Sequence, residues 1–315
     1  MAGGQERILK RRIASVQSTK KITRAMELIA ASRIVKAQQA VHAAVPYSEC
    51  ITEVVRDLGA ASGAVNSPLL KPRDAIRRVA IVLFTADRGL CGAYNSSVIR
   101  ATEGALREHR DLGRGEAVVV VGRKAEGYFR YRGFDPEASF TGFTDRPTYE
   151  DARKIGREVT RGFLAGNYDA VELIYTRFVS AGTQEVVRRP LVPLEQEVIE
   201  GGDARPGTDT VGPSYEFEPS AEAILDSLLP RYIDARIYAA LLNAAASEHA
   251  SRQRAMKSAT DNADELITNL TRVMNRARQD SITTEIMEIV SGAEALRSDN
   301  SEENATVDST NGASS

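Results

Sequence analysis

From Gln5 to Val45 the chain has neither glycine nor proline, and its apolar residues recur at alternating three- and four-residue steps, the spacing of a helix with a packed side. Two such stripes can be followed. One passes through Ile8, Ser15, Thr19, Ile22, Met26 and Ile29, the other through Ile13, Val16, Thr23, Ala30, Ile34, Ala37 and Val41. Both mix apolar with small or polar side chains. The spacing predicts one long helix, kinked or closed in its first segment by Pro46, with a weaker continuation through Ile51, Val54, Val55 and Leu58 as far as Gly59. Residues 60–73 then read as a linker.

The period changes at Arg77. Val79 to Ala86 (VAIVLFTA) has the continuous apolar character of a buried strand, and Asn95 to His109 that of a helix entered through a glycine-containing turn. The alternation recurs. Ala117 to Gly122 is a second strand followed by a short helix to Tyr131, and a helix over Tyr149–Leu164 precedes a strand over Ala170–Phe178. Gln184 to Leu194 predicts an edge strand, because Pro190 and Pro193 donate no ladder hydrogen bond. Residues 195–218 read as a loop. Pro219 and Ser220 open the last helical region and Pro230 interrupts it. From Arg231 to Ser291 there is again no glycine or proline, and a stripe runs through Met256, Ala259, Ala263, Leu266, Leu270, Val273 and Ala277. Residues 298–315 carry Asp299, Glu302, Glu303 and Asp308 but no basic residue, which predicts a disordered acidic tail.

At 1.5 Å per residue the last helix is about 90 Å long and the first about 60 Å. A compact domain of this chain length has a diameter on the order of 50 Å, so helices of that length have to project from it. The predicted fold is therefore α/β: a long antiparallel coiled coil of the N-terminal (1–59) and C-terminal (219–297) helices, with a Rossmann-like α/β domain (74–194) inserted between them. A seam rich in Ala, Ser and Thr buries little apolar area per turn, which implies that further partners enclose the helices.

Composition sharpens this picture in two places. Aromatic residues are 6% of the 315 residues and Trp is absent, which favours helices in close approach over an all-β core. The formal net charge is only -2, yet nine Lys and Arg between Arg7 and Lys36 face only Glu6 and Glu27. That basic start runs on without a cleavage-like break, so it reads as mature protein, and no apolar run is long enough to span a bilayer. The expected location from these features is the cytoplasm. Cys50, Cys91 and the three histidines show no metal-ligand spacing, so no metal or cofactor is expected.

The segment Thr85 to Gly92 (TADRGLCG) lies between a strand and a helix, where backbone amides cradle phosphate in nucleotide-binding folds. Its glycine spacing is neither the Rossmann nor the Walker type, which favours a turn presenting Asp87 and Arg88. No catalytic triad or paired carboxylate in a pocket can be placed. Two other readings stay open: a free-standing nucleotide-binding α/β protein with a coiled-coil interaction stalk, and a scaffold or nucleic-acid binder using the basic first helix. The second lacks the interleaved aromatics that nucleic-acid binding usually brings.

Several separated stretches resemble the gamma subunits of bacterial F-type ATP synthases: RIASVQSTKKITRAMELIAASR (Arg12 to Arg33), TADRGLCG, AMKSATDNADELI (Ala255 to Ile267) and NRARQDSITTEIMEIVSGAEAL (Asn275 to Leu296). The resemblance covers almost the whole chain from Ala2 to Arg297. It implies a non-catalytic shaft turning inside a ring of three alpha and three beta subunits, its foot on epsilon and the c-ring, peripheral to the cell membrane. It also implies subunit contacts: Lys20, Lys21, Arg24 and Met26 toward the beta subunits, Asp87 and Arg88 near their lever region, and Arg278, Gln279 and Thr283 at their catch loops.

Overall fold

The computed structural model describes residues 2–61, 67–71, 73, 75–194 and 220–310; the expected 195–218 loop, six residues of the expected linker and the last five of the chain lie outside them. Element order is α1 (Ala2–Ala61), β1 (Arg78–Phe84), α2 (Tyr94–Asp111), β2 (Gly115–Val121), α3 (Arg123–Tyr131), β3 (Ala138–Phe140), α4 (Tyr149–Leu164), β4 (Ala170–Phe178), β5 (Gln184–Val192) and α5 (Ala221–Thr310). The α/β fold class with long helices at both ends is as expected. The chain divides into two compact units, Met1–Ala25 with Lys257–Ser315, and Met26–Met256.

The second unit is built on a five-stranded sheet of order β3-β2-β1-β4-β5. β1, β2, β3 and β4 pair in parallel and β5 is antiparallel at the edge, where Pro190 falls opposite Glu172 without breaking an inner ladder. Sequence reasoning did not anticipate β3, whose three residues carry no alternation. Both sheet faces are covered, so the strands are apolar throughout instead of alternating. Ala80, Val82, Phe84, Val119 and Leu173 face Ile155, Val159 and Phe163 of α4, Ile51, Val55 and Leu58 of α1, and Leu225, Leu229, Ile233 and Leu241 of α5. Ile81, Leu83, Val118, Val120 and Ile174 face Val98 and Leu106 of α2 and Ala125 and Phe129 of α3. Each Val, Leu, Ile or Phe among them contributes about 1.5–3 kcal/mol. α4 opens with a capping box in which Thr148 and Asp151 satisfy each other's backbone N–H groups.

Pro46, expected to kink or close the first helix, and Pro230, expected to interrupt the last, both lie inside them. An interior proline costs about 3 kcal/mol. Pro46 and Pro230 are exposed, while Ile51, Val55 and Leu58 beyond the first and Leu229, Tyr232 and Ile233 around the second are buried, so packing on the inner side offsets the lost hydrogen bond. α5 continues through Thr310, and no glycine or proline follows Gly292 until Gly312.

The covered side of α1 keeps one heptad phase: Leu9, Ile13, Val16, Lys20 and Thr23 in the first unit, then Glu27, Ala30, Ile34, Ala37, Val41, Ala44, Ser48, Ile51, Val55 and Leu58 in the second are all buried or half-buried. This is the second of the two stripes. Ile8, Ile22 and Ile29 of the first are 63%, 59% and 54% exposed. On α5 the seam passes through Met256, Thr260, Ala263, Ile267, Leu270, Met274 and Ala277. It replaces the expected Leu266 and Val273, which are 41% and 53% exposed. Within the first unit the helices run antiparallel. Thr23 Oγ1 and Thr260 Oγ1 share a hydrogen bond of 2.8 Å across the seam, and Lys20 forms an ion pair with Asp264.

Candidate functional site

The loop after β1 is tied into the domain by its own residues. Thr85 is buried; its Oγ1 donates to Val121 O at 3.1 Å and accepts from Ala125 N at 3.1 Å, joining the ends of β1 and β2. Gly122 is required there, because at its φ of +100° an added Cβ would stand 2.1 Å from Thr85 O. Ala86 N donates to Asn95 Oδ1 at 2.8 Å. The Asp87 carboxylate accepts four hydrogen bonds, from Arg123 N (3.1 Å), Gly142 N (2.8 Å), Thr144 N (3.2 Å) and Thr144 Oγ1 (3.0 Å). Asp87 N in turn donates to Thr144 Oγ1 at 2.9 Å. Asp87 therefore organises three loops at the carboxyl ends of β1, β2 and β3. Its neighbour Arg88 is exposed, as is Leu90, which holds a φ of +63°.

The far side of this loop is held by α5. Arg252 donates to the carbonyls of Gly89 (3.2 Å) and Arg88 (3.4 Å) and pairs with Glu248 at 2.7 Å. The two side chains are 10% and 2% exposed. Burial pushes the Glu248 carboxyl above its ordinary range, and the Arg252 charge opposes that shift. Burial likewise raises the Cys91 thiol, with Arg252 opposing, and raises the Tyr94 hydroxyl well above its ordinary value. Cys91 is thus a packed thiol that receives a hydrogen bond from Asn95, poorly suited to nucleophilic or redox chemistry. One turn away, His249 donates from Nε2 to Asp145 O at 3.1 Å, and burial lowers its pKa to about 4. Asp145 also pairs with Arg33 of α1 at 2.8 Å.

The remaining candidate residues fall on the two long helices. In the first unit Lys21, Arg24, Arg278, Gln279 and Thr283 are exposed, whereas Lys20 is half-buried in its pair with Asp264. Arg278 is close enough to Glu6 to help Lys10 hold that carboxyl below its ordinary range. In the second unit Met26 is half-buried beside Glu27 of the seam. Of the residues expected to face partners, Asp87 and Lys20 are thus occupied within the chain, while Lys21, Arg24, Arg88, Arg278, Gln279 and Thr283 present exposed side chains. Sequence reasoning missed Thr144, Glu248 and Arg252. The last two carried a signal, a Glu and an Arg at i,i+4 just after the run of small residues Ala244 to Ser247.

A family model described as ATP synthase matches residues 5–296. The ATP synthase gamma chain of Frankia casuarinae is 50% identical over 299 residues, covering 94% of this chain and 99% of its own length. That of Kineococcus radiotolerans is 51% identical over 302 residues, covering 95% and 99%. Among solved structures, a chain of the Tetrahymena thermophila mitochondrial ATP synthase central stalk and c-ring aligns with a TM-score of 0.56 at 25% identity, covering 76% of this chain and 99% of that one.

Proposed function

The chain belongs to the ATP synthase gamma family, the central stalk of the F-type enzyme, and from that membership we propose that it acts without catalytic groups of its own, as the cam that sets the state of the catalytic subunits around it. One observation supports this most directly. In the first unit a series of large apolar side chains faces outward: Ile8, Ile22, Ile282, Ile286, Met287 and Ile289 are between 46% and 71% exposed. Apolar surface of this extent marks an interaction site, and surrounding alpha and beta subunits would cover it. The polar groups at the loop after β1 serve its own folding, since Asp87 is saturated by four donors and Arg252 by Glu248 and two carbonyls.

The mechanism follows from unequal contacts. A shaft whose surface is uneven, mixing exposed apolar positions with Lys21, Arg24, Arg278 and Gln279, binds three otherwise equivalent partners with three different free energies. Each partner is thereby biased toward a different nucleotide affinity, and turning the shaft moves the bias. A shift of about 5.5 kcal/mol takes a two-state partner from one conformation almost wholly to the other. The assembly sits on the cytoplasmic side of the membrane, joined to it through epsilon and the c-ring; among the described residues no helix is long and apolar enough to cross a bilayer. Lys20, Lys21, Arg24, Met26, Asp87, Arg88, Arg278, Gln279 and Thr283 remain the proposed contact set, with Asp87 and Lys20 acting chiefly through the geometry of their neighbours.

The test is reconstitution. One copy of this chain is expected to co-purify with three alpha and three beta subunits and to activate their ATP hydrolysis. The double variant Arg278→Ala/Gln279→Ala is expected to assemble normally, because exposed polar changes usually cost within about 0.5 kcal/mol, yet to pump protons less per ATP hydrolysed in vesicles. Unaltered pumping would remove these two residues from the contact set, and failure of the parent chain to incorporate would refute the cam.

A further inference from the structure

α4 and α5 pack on the same face of the sheet, and a carboxylate is buried where they meet. Asp234 of α5 is 9% exposed, yet among the described residues its carboxyl takes no hydrogen bond and forms no ion pair. α4 meets it with Gly156. An added Cβ there would stand 2.0 Å from Asp234 Oδ1, so the helices approach this closely only because residue 156 has no side chain. A buried carboxylate without a partner is costly. It opens on a cavity of about 400 Å³ between the two helices, which Thr160 and the exposed Arg157 and Arg161 also line.

The charged groups that act on this carboxyl come from α4. Burial pushes Asp234 up to about 6, against the opposing charges of Arg153 and Arg157 and with a further push from Glu150. Tyr149 is also near. Its hydroxyl is pushed up to about 12 by burial, with Tyr47 of α1 adding to the shift, so it stays neutral where Asp234 titrates. The arginines are not equally tied. Arg153 holds Glu150 at 2.9 Å, and Arg161 is paired with Glu158. Arg157 stands 3.6 Å from Glu150, beyond hydrogen-bond reach, and is 62% exposed. A surface pair of this kind contributes about 0–1 kcal/mol, so little holds that guanidinium away from the cavity it lines.

We propose that Asp234 and Arg157 form a proton-controlled latch between α4 and α5. With Asp234 protonated, Arg157 stays outside beside Glu150 and the groove is open. When Asp234 gives its proton to water in the groove, Arg157 turns inward and pairs with the carboxylate. The unpaired carboxyl and open groove described above are the geometry of the protonated form. The cavity supplies both the room for the guanidinium and the route for the proton. Because α4 belongs to the α/β domain and α5 is the shaft helix, the latch makes the contact between them respond to pH. This assignment goes beyond the cam and does not rest on it.

The test is a double-mutant cycle in the full chain, with folding constants from urea denaturation at pH 5 and pH 8. An acid raised from 3.8 to about 6 on folding contributes most below pH 4, and that contribution is lost as pH rises through 6. About one pH unit of the shift is felt above pH 5, equivalent to about tenfold in the folding constant. Water in the open groove screens part of it, so Asp234→Asn is expected to gain about fivefold on the parent between pH 5 and pH 8. Arg157→Gln is expected to lower the folding constant about fivefold at pH 8, a coupling of about 1 kcal/mol. At pH 5, and at both pH values in the Asp234→Asn background, it should stay within about twofold. Loss of the Arg157–Glu150 pair is common to both backgrounds and cancels in the cycle. The comparison of pH 5 with pH 8 needs Arg157→Gln alone, so a poorly folding Asp234→Asn variant does not remove the test. An effect of Arg157→Gln that is the same, within about twofold, at the two pH values or in the two backgrounds overturns the latch.

Discussion

Replacing Arg252 by alanine should expose how the loop after β1 is held to α5. The substitution leaves the Glu248 carboxylate 2% exposed and without its 2.7 Å partner. Breaking one half of a buried pair typically costs about 3–5 kcal/mol. The structure sets a ceiling on the electrostatic part. Glu248 is already raised above its ordinary value of 4.5 by burial, and without Arg252 it rises further. The folded variant can always escape by protonating this group. At pH 7 that escape costs about 1.4 kcal/mol for each of the 2.5 pH units above 4.5, or about 3.5 kcal/mol. Loss of the hydrogen bonds to Arg88 O and Gly89 O adds about 1 kcal/mol, giving about 4.5 kcal/mol in all. The sign of the pH dependence follows. An acid whose folded-state pKa is raised binds more protons folded than unfolded, so stability falls as pH rises above 4.5. The deficit of the variant should therefore shrink to about 1 kcal/mol near pH 4.5. Urea denaturation of parent and variant, followed by far-UV and tyrosine near-UV circular dichroism at pH 7 and pH 5, measures both numbers. A deficit below about 1 kcal/mol at pH 7, or one that does not change between the two pH values, would refute the reasoning.

Two further outcomes rest on the same geometry. His249 has its pKa lowered to about 4 by burial, so the unfolded chain takes up a proton between pH 6.5 and 4 that the folded chain refuses, and stability should fall over that window as pH is lowered. His249→Gln should flatten the fall in a pH series of denaturation midpoints, and an unchanged slope would show that other groups set it. Asp87→Ala removes the acceptor of four hydrogen bonds and should cost on the order of 3 kcal/mol, whereas the exposed Arg88→Ala should cost within about 0.5 kcal/mol. Equal midpoints for these two variants in urea would mean that Asp87 does not organise its loops.

Long helices at both ends, an α/β segment between them and an edge strand at Gln184 could be read from residue order alone, because the period of apolar residues and the placement of glycine and proline are local properties. Tyr149–Leu164 and Ala170–Phe178 were bounded to the residue for that reason. The limits of local reading show at Pro46 and Pro230, where propensity predicts a break and burial of neighbours such as Val55 and Ile233 overrides it. They show again on α1 and α5. A helix with apolar residues on two sides does not state which side meets a neighbour, and only the tertiary structure selected Ile13, Val16 and Ile34 over Ile8, Ile22 and Ile29, or Ile267 and Met274 over Leu266 and Val273. The same holds for the candidate site. Thr85, Asp87 and Arg88 stood out in the sequence as a turn between a strand and a helix. That Asp87 binds Thr144 and Gly142, and that Arg252 reaches back from α5 to Arg88 and Gly89, depends on contacts between residues 55 to 164 positions apart, which no local pattern encodes.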